Sequence, residues 1–134
     1  MTKGRQVRAK KSFGQHFLTD ESICINIANI LSGEGHNHLL EVGPGMGVLT
    51  KYLLERKEDL TVIEVDNDSV EYLIQNFPAL NGRLIHADFL KLPLAELFSE
   101  PFAVIGNFPY NISSQILFKI VEHRNLIPEA GGMF

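Results

Sequence analysis

The chain has 134 residues, 45% hydrophobic and 21% charged, with a formal net charge of -4; this suits one globular domain and excludes a disordered or fibrous chain. No apolar run approaches the roughly 20 residues of a membrane-spanning helix, and the basic N-terminus lacks the apolar stretch of a signal peptide. The single cysteine, Cys24, excludes an internal disulfide and suits a reducing, cytoplasmic setting.

Residues 1–19 read as a basic arm and loop. Lys3, Arg5, Arg8, Lys10 and Lys11 all precede the first acid, Asp20. The remainder holds 7 basic against 16 acidic side chains. A basic arm on an acidic body suits a polyanion partner, although on charge alone a solvated tail is the simpler reading. A helix is predicted over residues 23–31, with Asp20 as N-cap and Gly33 past its end. Leu39-Leu40-Glu41-Val42 reads as a buried strand, stopped by Gly43-Pro44-Gly45. Residues 48–55 read as the next helix and 60–65 as a second strand. Asp68-Ser69-Val70-Glu71 looks like a capping box opening a helix to Asn76. Third and fourth strands are predicted over 83–87 and 102–106. Ile112, Ile116, Leu117, Ile120 and Val121 fall on one face of a further helix. Gly131-Gly132-Met133-Phe134 resembles the start of another strand, so the sheet reads as cut after the fourth or fifth strand, with the 102–106 edge open or barely paired.

Strands alternating with helices imply an α/β domain over residues 20–134, with a mainly parallel sheet and helices on both faces. Such sheets bind ligands at the carboxyl ends of their strands. That rule gathers residues 43–47, 64–66, 88 and 107–110 on one rim. Glycines in a strand-to-helix turn let a ligand approach the backbone. Glu64, 21 residues after Gly43, stands where a carboxylate accepts hydrogen bonds from both hydroxyls of a ribose. A dinucleotide prefers G-x-G-x-x-G/A, whereas the spacing here is G-x-G-x-G and Glu41 repels a pyrophosphate. S-adenosylmethionine, cationic and free of phosphate, fits better. Asp88 reads either as an acceptor for an adenine amino group or as a turn aspartate.

Asn107-Phe108-Pro109-Tyr110 follows the fourth strand. An exocyclic adenine nitrogen is a poor nucleophile because its lone pair is delocalised. The Asn107 side-chain oxygen and the Pro109 carbonyl can accept from that amino group and hold it in line with a methyl donor. Proline stiffens the loop, and Tyr110 offers a face for an extruded base. The bland alternative is an Asx-turn followed by a core aromatic.

Residues 10–134 resemble the N-terminal half of the ribosomal RNA adenine dimethyltransferase family. The resemblance rests on Lys11-Ser12-Phe13-Gly14-Gln15-His16-Phe17-Leu18, Leu40 to Gly47, Val62-Ile63-Glu64-Val65-Asp66, Ala87-Asp88 and Gly106 to Ser114. It implies a Rossmann-like S-adenosylmethionine-dependent methyltransferase fold. Gln15, His16 and Leu18 would contact the cofactor from the N-terminal loop. Gly43 and Gly45 would lie under its methionine part, Glu64 would hold the ribose and Asp88 the adenine. Asn107, with Pro109 and Tyr110, would sit between methyl donor and target base. The family dimethylates two neighbouring adenosines near the 3′ end of small-subunit rRNA, so the expected partner is that RNA or the immature small subunit, reached in part through the arm. Phe108 departs from the Leu or Ile usual at its position, which bears on the fit around the methylated base. The family's remaining strands and its helical RNA-binding domain have no counterpart here, and self-association through the sheet edge is expected. The rivals are a large-subunit rRNA methyltransferase of the macrolide-resistance type and a non-catalytic assembly factor.

Cys24 reads as a buried inert thiol. His36, His38, His86 and His123 show no metal-ligand spacing, so no metal site is expected. Phe77, Phe89, Phe98, Phe102 and Phe118 read as core.

Overall fold

The computed structural model describes residues 21–108 and 113–133. Its elements are α1 (Glu21–Ala28), β1 (His38–Val42), α2 (Thr50–Leu53), β2 (Asp59–Glu64), α3 (Asn67–Asn76), β3 (Leu84–His86), α4 (Leu94–Leu97), β4 (Phe102–Asn107), α5 (Ser113–Glu122) and β5 (Ala130–Met133). The strands form one parallel sheet in the order β3-β2-β1-β4-β5. Each strand alternates its side chains between two apolar layers, because both faces are covered. Leu39, Leu60, Val62, Ala103 and Ile105 meet Cys24 and Ile27 of α1, Leu53 of α2 and Leu73 of α3. Leu40, Val42, Ile63, Phe102 and Val104 meet Leu94 of α4 and Ile116 and Ile120 of α5. Each such leucine or isoleucine contributes about 1.5–3 kcal/mol on burial. The predicted α/β class, parallel sheet and two helical layers all stand in the structure. Among the described residues no helix is long and apolar enough to cross a membrane.

Several local expectations shift. The helix predicted over 48–55 is helical only at Thr50–Leu53, preceded by turns built on the glycine segment. The cap of α3 is Asp66, not Asp68: Ser69 donates to Asp66 Oδ2 through its N–H at 2.9 Å and its hydroxyl at 3.0 Å. That bond closes the Ncap-to-N3 loop that a capping box describes, two residues earlier than expected. On α5 only Ile116 and Ile120 of the predicted stripe are buried among the described residues, while Leu117, Phe118 and Val121 are exposed at 41%, 68% and 54%. Successive helix positions are ~100° apart, so 117 and 121 turn away from the sheet when 116 and 120 face it. Phe118 is therefore a surface residue and not core. The last strand starts at Ala130 and pairs with Val104–Asn107, so β4 is covered and the sheet edge belongs to β5.

Beneath the sheet, at the strands' N-terminal ends, a polar clasp ties three entry loops together. Arg56 holds Glu58 through two bonds, at 2.9 and 2.8 Å, and donates to the Ala28 and Leu31 carbonyls at 2.7 and 3.3 Å. Glu129, just before β5, accepts from the N–H groups of Ser32 and Gly33 and from His36 Nε2, at 2.8, 3.0 and 2.8 Å. The other His36 nitrogen lies 3.6 Å from Glu58.

Candidate functional site

The strand order reverses between β1 and β4, where the loops leaving their carboxyl ends diverge and open a crevice. Val42 is level with Ile63 and with Gly106, so Gly43, Glu64 and Asn107 emerge side by side on the rim. Glu64 is in turn level with His86, which puts Asp88 two residues beyond the third strand on the same rim. The structure thus brings together Gly43, Gly45, Glu64, Asp88 and Asn107 as expected from sequence. Lys3, Arg5, Arg8, Lys10, Lys11, Gln15, His16, Leu18, Pro109 and Tyr110 lie outside the described residues.

The turn after β1 begins with the Gly43 N–H donating to the Ile63 carbonyl at 2.8 Å. Gly43 has φ +70°, and a Cβ there would meet no atom of the described residues within 4 Å. Its backbone is thus bare on the side a ligand approaches. Gly47, at φ +81°, serves packing instead, because a Cβ there would collide with the Phe77 ring.

Two carboxyl groups, Glu41 and Glu64, are buried behind this turn at 1% exposure each. Glu64 binds the loop itself. Its Oε1 accepts from the Gly45 N–H at 2.9 Å, and its Oε2 accepts from the N–H groups of Val65 and Asp66 at 3.1 and 3.0 Å. A ribose would therefore share oxygens already engaged with the backbone, and the carboxylate is a fixed acceptor. Glu41 accepts from the Thr50 hydroxyl at 2.6 Å. Burial pushes its carboxyl up to about 8; the Thr50 bond opposes that rise and the neighbouring Glu64 charge adds to it. Glu41 is consequently mostly neutral at pH 7 until a cation approaches.

Asp88 does cap a turn. Its Oδ1 accepts from the Leu90 N–H at 3.0 Å, opening a 3-10 turn over Phe89–Lys91. Asn107 ends β4 half-buried, opposite Met133. The Phe108 N–H continues the ladder to the Met133 carbonyl at 2.9 Å. The Phe108 side chain, 4% exposed, turns into the core with Val42, Val104 and Ile116, against Gly106 and Gly132. Phe108 is thus a core residue. Thr50 and Val65 were missed in the sequence. A hydroxyl nine residues after a strand carries no signal of its own. Val65, one residue past Glu64, is an apolar side chain 60% exposed on the rim, which only its burial reveals. Among the described residues no three His, Cys, Asp or Glu side chains gather as metal ligands would.

Residues 6–130 match the family model for ribosomal RNA adenine dimethylase. The chain is 55% identical over 130 residues to a ribosomal RNA small subunit methyltransferase A of Flavobacterium johnsoniae, and 56% identical over 129 residues to that of Parabacteroides distasonis. Each match covers 96% of this chain, but only 50% and 48% of the relatives, so the chain spans about half their length. Among solved structures it resembles the 23S rRNA methyltransferase ErmE, with a TM-score of 0.64, 33% identity, and coverage of 77% of this chain and 41% of that one.

Proposed function

The chain belongs to the ribosomal RNA adenine dimethylase family, and we propose that it forms the cofactor-holding part of an enzyme that transfers methyl groups from S-adenosylmethionine to the N6 amino groups of two adjacent adenosines in small-subunit rRNA. The observation that carries this reading is the single rim on which Gly43, Glu64 and Asn107 stand level at the switch point, with Asp88 two residues beyond the third strand on the same rim. The donor set fits the cofactor. The space above Gly43 accepts a methionine chain, and the buried acid Glu64 disfavours phosphate while suiting a sulfonium and an ammonium. Val65 offers an apolar surface for the adenine ring, and Glu64 and Asp88 accept from the ribose hydroxyls and the adenine amino group.

The bound cofactor supplies an electrophilic methyl group on a cationic sulfur. The chain's own residues make the amino nitrogen ready for it. The Asn107 oxygen and the Pro109 carbonyl accept its two hydrogens, which orients the nitrogen lone pair in line with the methyl–sulfur bond. Tyr110 stacks on the extruded base. Once the nitrogen carries the methyl group its proton is acidic and passes to solvent, so no strong base is required. On this reading Gln15, His16 and Leu18 contact the cofactor, and Lys3, Arg5, Arg8, Lys10 and Lys11 bind RNA phosphates; the protein acts on immature small subunits in the cytoplasm. The small-subunit reading is favoured over the large-subunit one because the curated relatives at 55% and 56% identity carry that name, against 33% for ErmE.

A chimera tests this function. Residues 6–130 replace the matching segment of the Flavobacterium johnsoniae relative, and labelled methyl transfer to undermethylated small subunits is followed. The expected product is dimethyladenosine at two neighbouring positions of small-subunit rRNA. A folded chimera that binds small subunits without methylating them would point to an assembly factor, and label in large-subunit rRNA to the macrolide-resistance type.

A further inference from the structure

The inward stripe of α5 contains a cation. Ile116 and Ile120 are buried on that stripe, and Lys119 lies between them, half-buried. Its ammonium donates to the Phe89 carbonyl at 2.5 Å and to the Leu92 carbonyl at 2.6 Å. It also stands over the Phe89 ring, 5.2 Å from the centroid, and that ring is 4% exposed. These are the groups of the 3-10 turn that Asp88 opens. Asp88 holds the start of the turn through the Leu90 N–H, and Lys119 spans the turn from the Phe89 carbonyl, which also accepts from the Leu92 N–H at 3.3 Å, to the Leu92 carbonyl at its C-cap. Burial lowers the Lys119 pKa by more than the charges of Asp88 and Glu122 raise it.

We propose that Lys119 is a positioning residue for the cofactor's adenine pocket: from α5 it fixes the turn that carries Asp88 and so sets the strength with which the adenine amino group is bound. The proposal rests on the reading of Asp88 as the adenine acceptor. Two physical points carry it beyond a helix-to-turn staple. A lysine on an apolar stripe loses solvation and side-chain entropy, and here two strong bonds to one turn offset that loss. In addition, α5 begins at Ser113, directly after the loop that follows Asn107, so Lys119 ties the adenine wall of the crevice to the helix that leaves its target-base wall. Asp88 is thereby held in place from a second element.

The test uses this chain and two ligands that differ at one group. S-adenosylhomocysteine carries the adenine amino group, whereas S-inosylhomocysteine carries a carbonyl oxygen there. Lys119→Met keeps the apolar stem and removes the donors. It should weaken S-adenosylhomocysteine about 3- to 10-fold by calorimetry while leaving the inosine analogue within about twofold. In the double variant with Asp88→Ala, the Lys119 effect should vanish, because both act on one contact. Lys119→Arg should restore most of the loss. Equal weakening of both ligands, additive losses in the double variant, or unchanged binding of S-adenosylhomocysteine would each overturn the positioning role. If Lys119→Met does not fold, Lys119→Leu, which also lacks donors, gives the same comparison. An Asp88→Ala variant that binds S-adenosylhomocysteine as tightly as the parent overturns the adenine assignment itself and the proposal with it.

Discussion

Glu41 and Glu64 are neighbouring acids of one turn held in opposite ways. Glu64 is fixed by three backbone N–H groups, whereas Glu41 is buried against a single hydroxyl and raised to about 8. The sign of its effect on stability follows from that rise. The folded chain keeps the Glu41 proton from its ordinary value of 4.5 up to about 8, while the unfolded chain gives it up. Stability from this group is therefore full below 4.5 and is lost as pH rises to about 8. Glu41→Gln keeps an acceptor for Thr50 and has no proton to lose. Its melting temperature should exceed that of the parent by about 4 °C or more at pH 8, and the gap should shrink towards pH 5. Parallel melting curves across that range would contradict the burial argument. The two residues also show what sequence conveys at this scale. The rim position of Glu64 was legible because it ends an apolar strand run, whereas its three bonds to backbone N–H groups were not. The unusual protonation of Glu41 was not legible either, because it depends on the complete enclosure of one side chain. The burial of Phe108 was not legible for the same reason, since a loop sequence does not say which side chain turns inward.

At the level of elements, the strands were legible to within two residues because parallel, doubly covered strands are continuous apolar runs. Helices were less so. The α3 start was placed two residues late, because Asp66 and Asp68 compete as caps and only backbone geometry separates them. The clasp beneath the sheet was invisible, because Arg56, Glu58, His36 and Glu129 come from three distant stretches of chain. Burial alone would raise the Glu129 carboxyl, but the N–H of Ser32, His36, the Ser32 hydroxyl and the N–H of Gly33 outweigh it and hold Glu129 at about 2. Its contribution is present above 4.5 and is lost as pH falls towards 2. Glu129→Gln should therefore lower the melting temperature by about 4–8 °C at pH 7 and flatten the acid limb of the stability profile. An unchanged midpoint at pH 7 would show that β5 docks without the clasp.

For the whole molecule, the alternation of strands and helices implied a parallel sheet with ligands at the carboxyl ends of its strands, but the strand order that sets the crevice between β1 and β4 was not legible. Nor was the position of the open edge: β5 covers β4 and leaves its own outer edge as the end of the sheet. Exposed apolar side chains stand on the two helices of opposite sheet faces, Ile25 on α1 and Leu117, Phe118 and Val121 on α5. Such an edge tends to recruit another strand. Sedimentation from low to high micromolar concentration should show reversible association, weakened by Phe118→Lys; a monomer at every concentration would mean that the edge is self-sufficient. The most direct test of the whole account is calorimetric titration of the chain with S-adenosylmethionine, with NAD as the comparison and Glu64→Ala as the control. The account predicts saturable one-to-one binding of S-adenosylmethionine, about tenfold or more weaker in Glu64→Ala, and no binding of NAD. Tighter binding of NAD, or an affinity for S-adenosylmethionine that Glu64→Ala leaves unchanged, would contradict it.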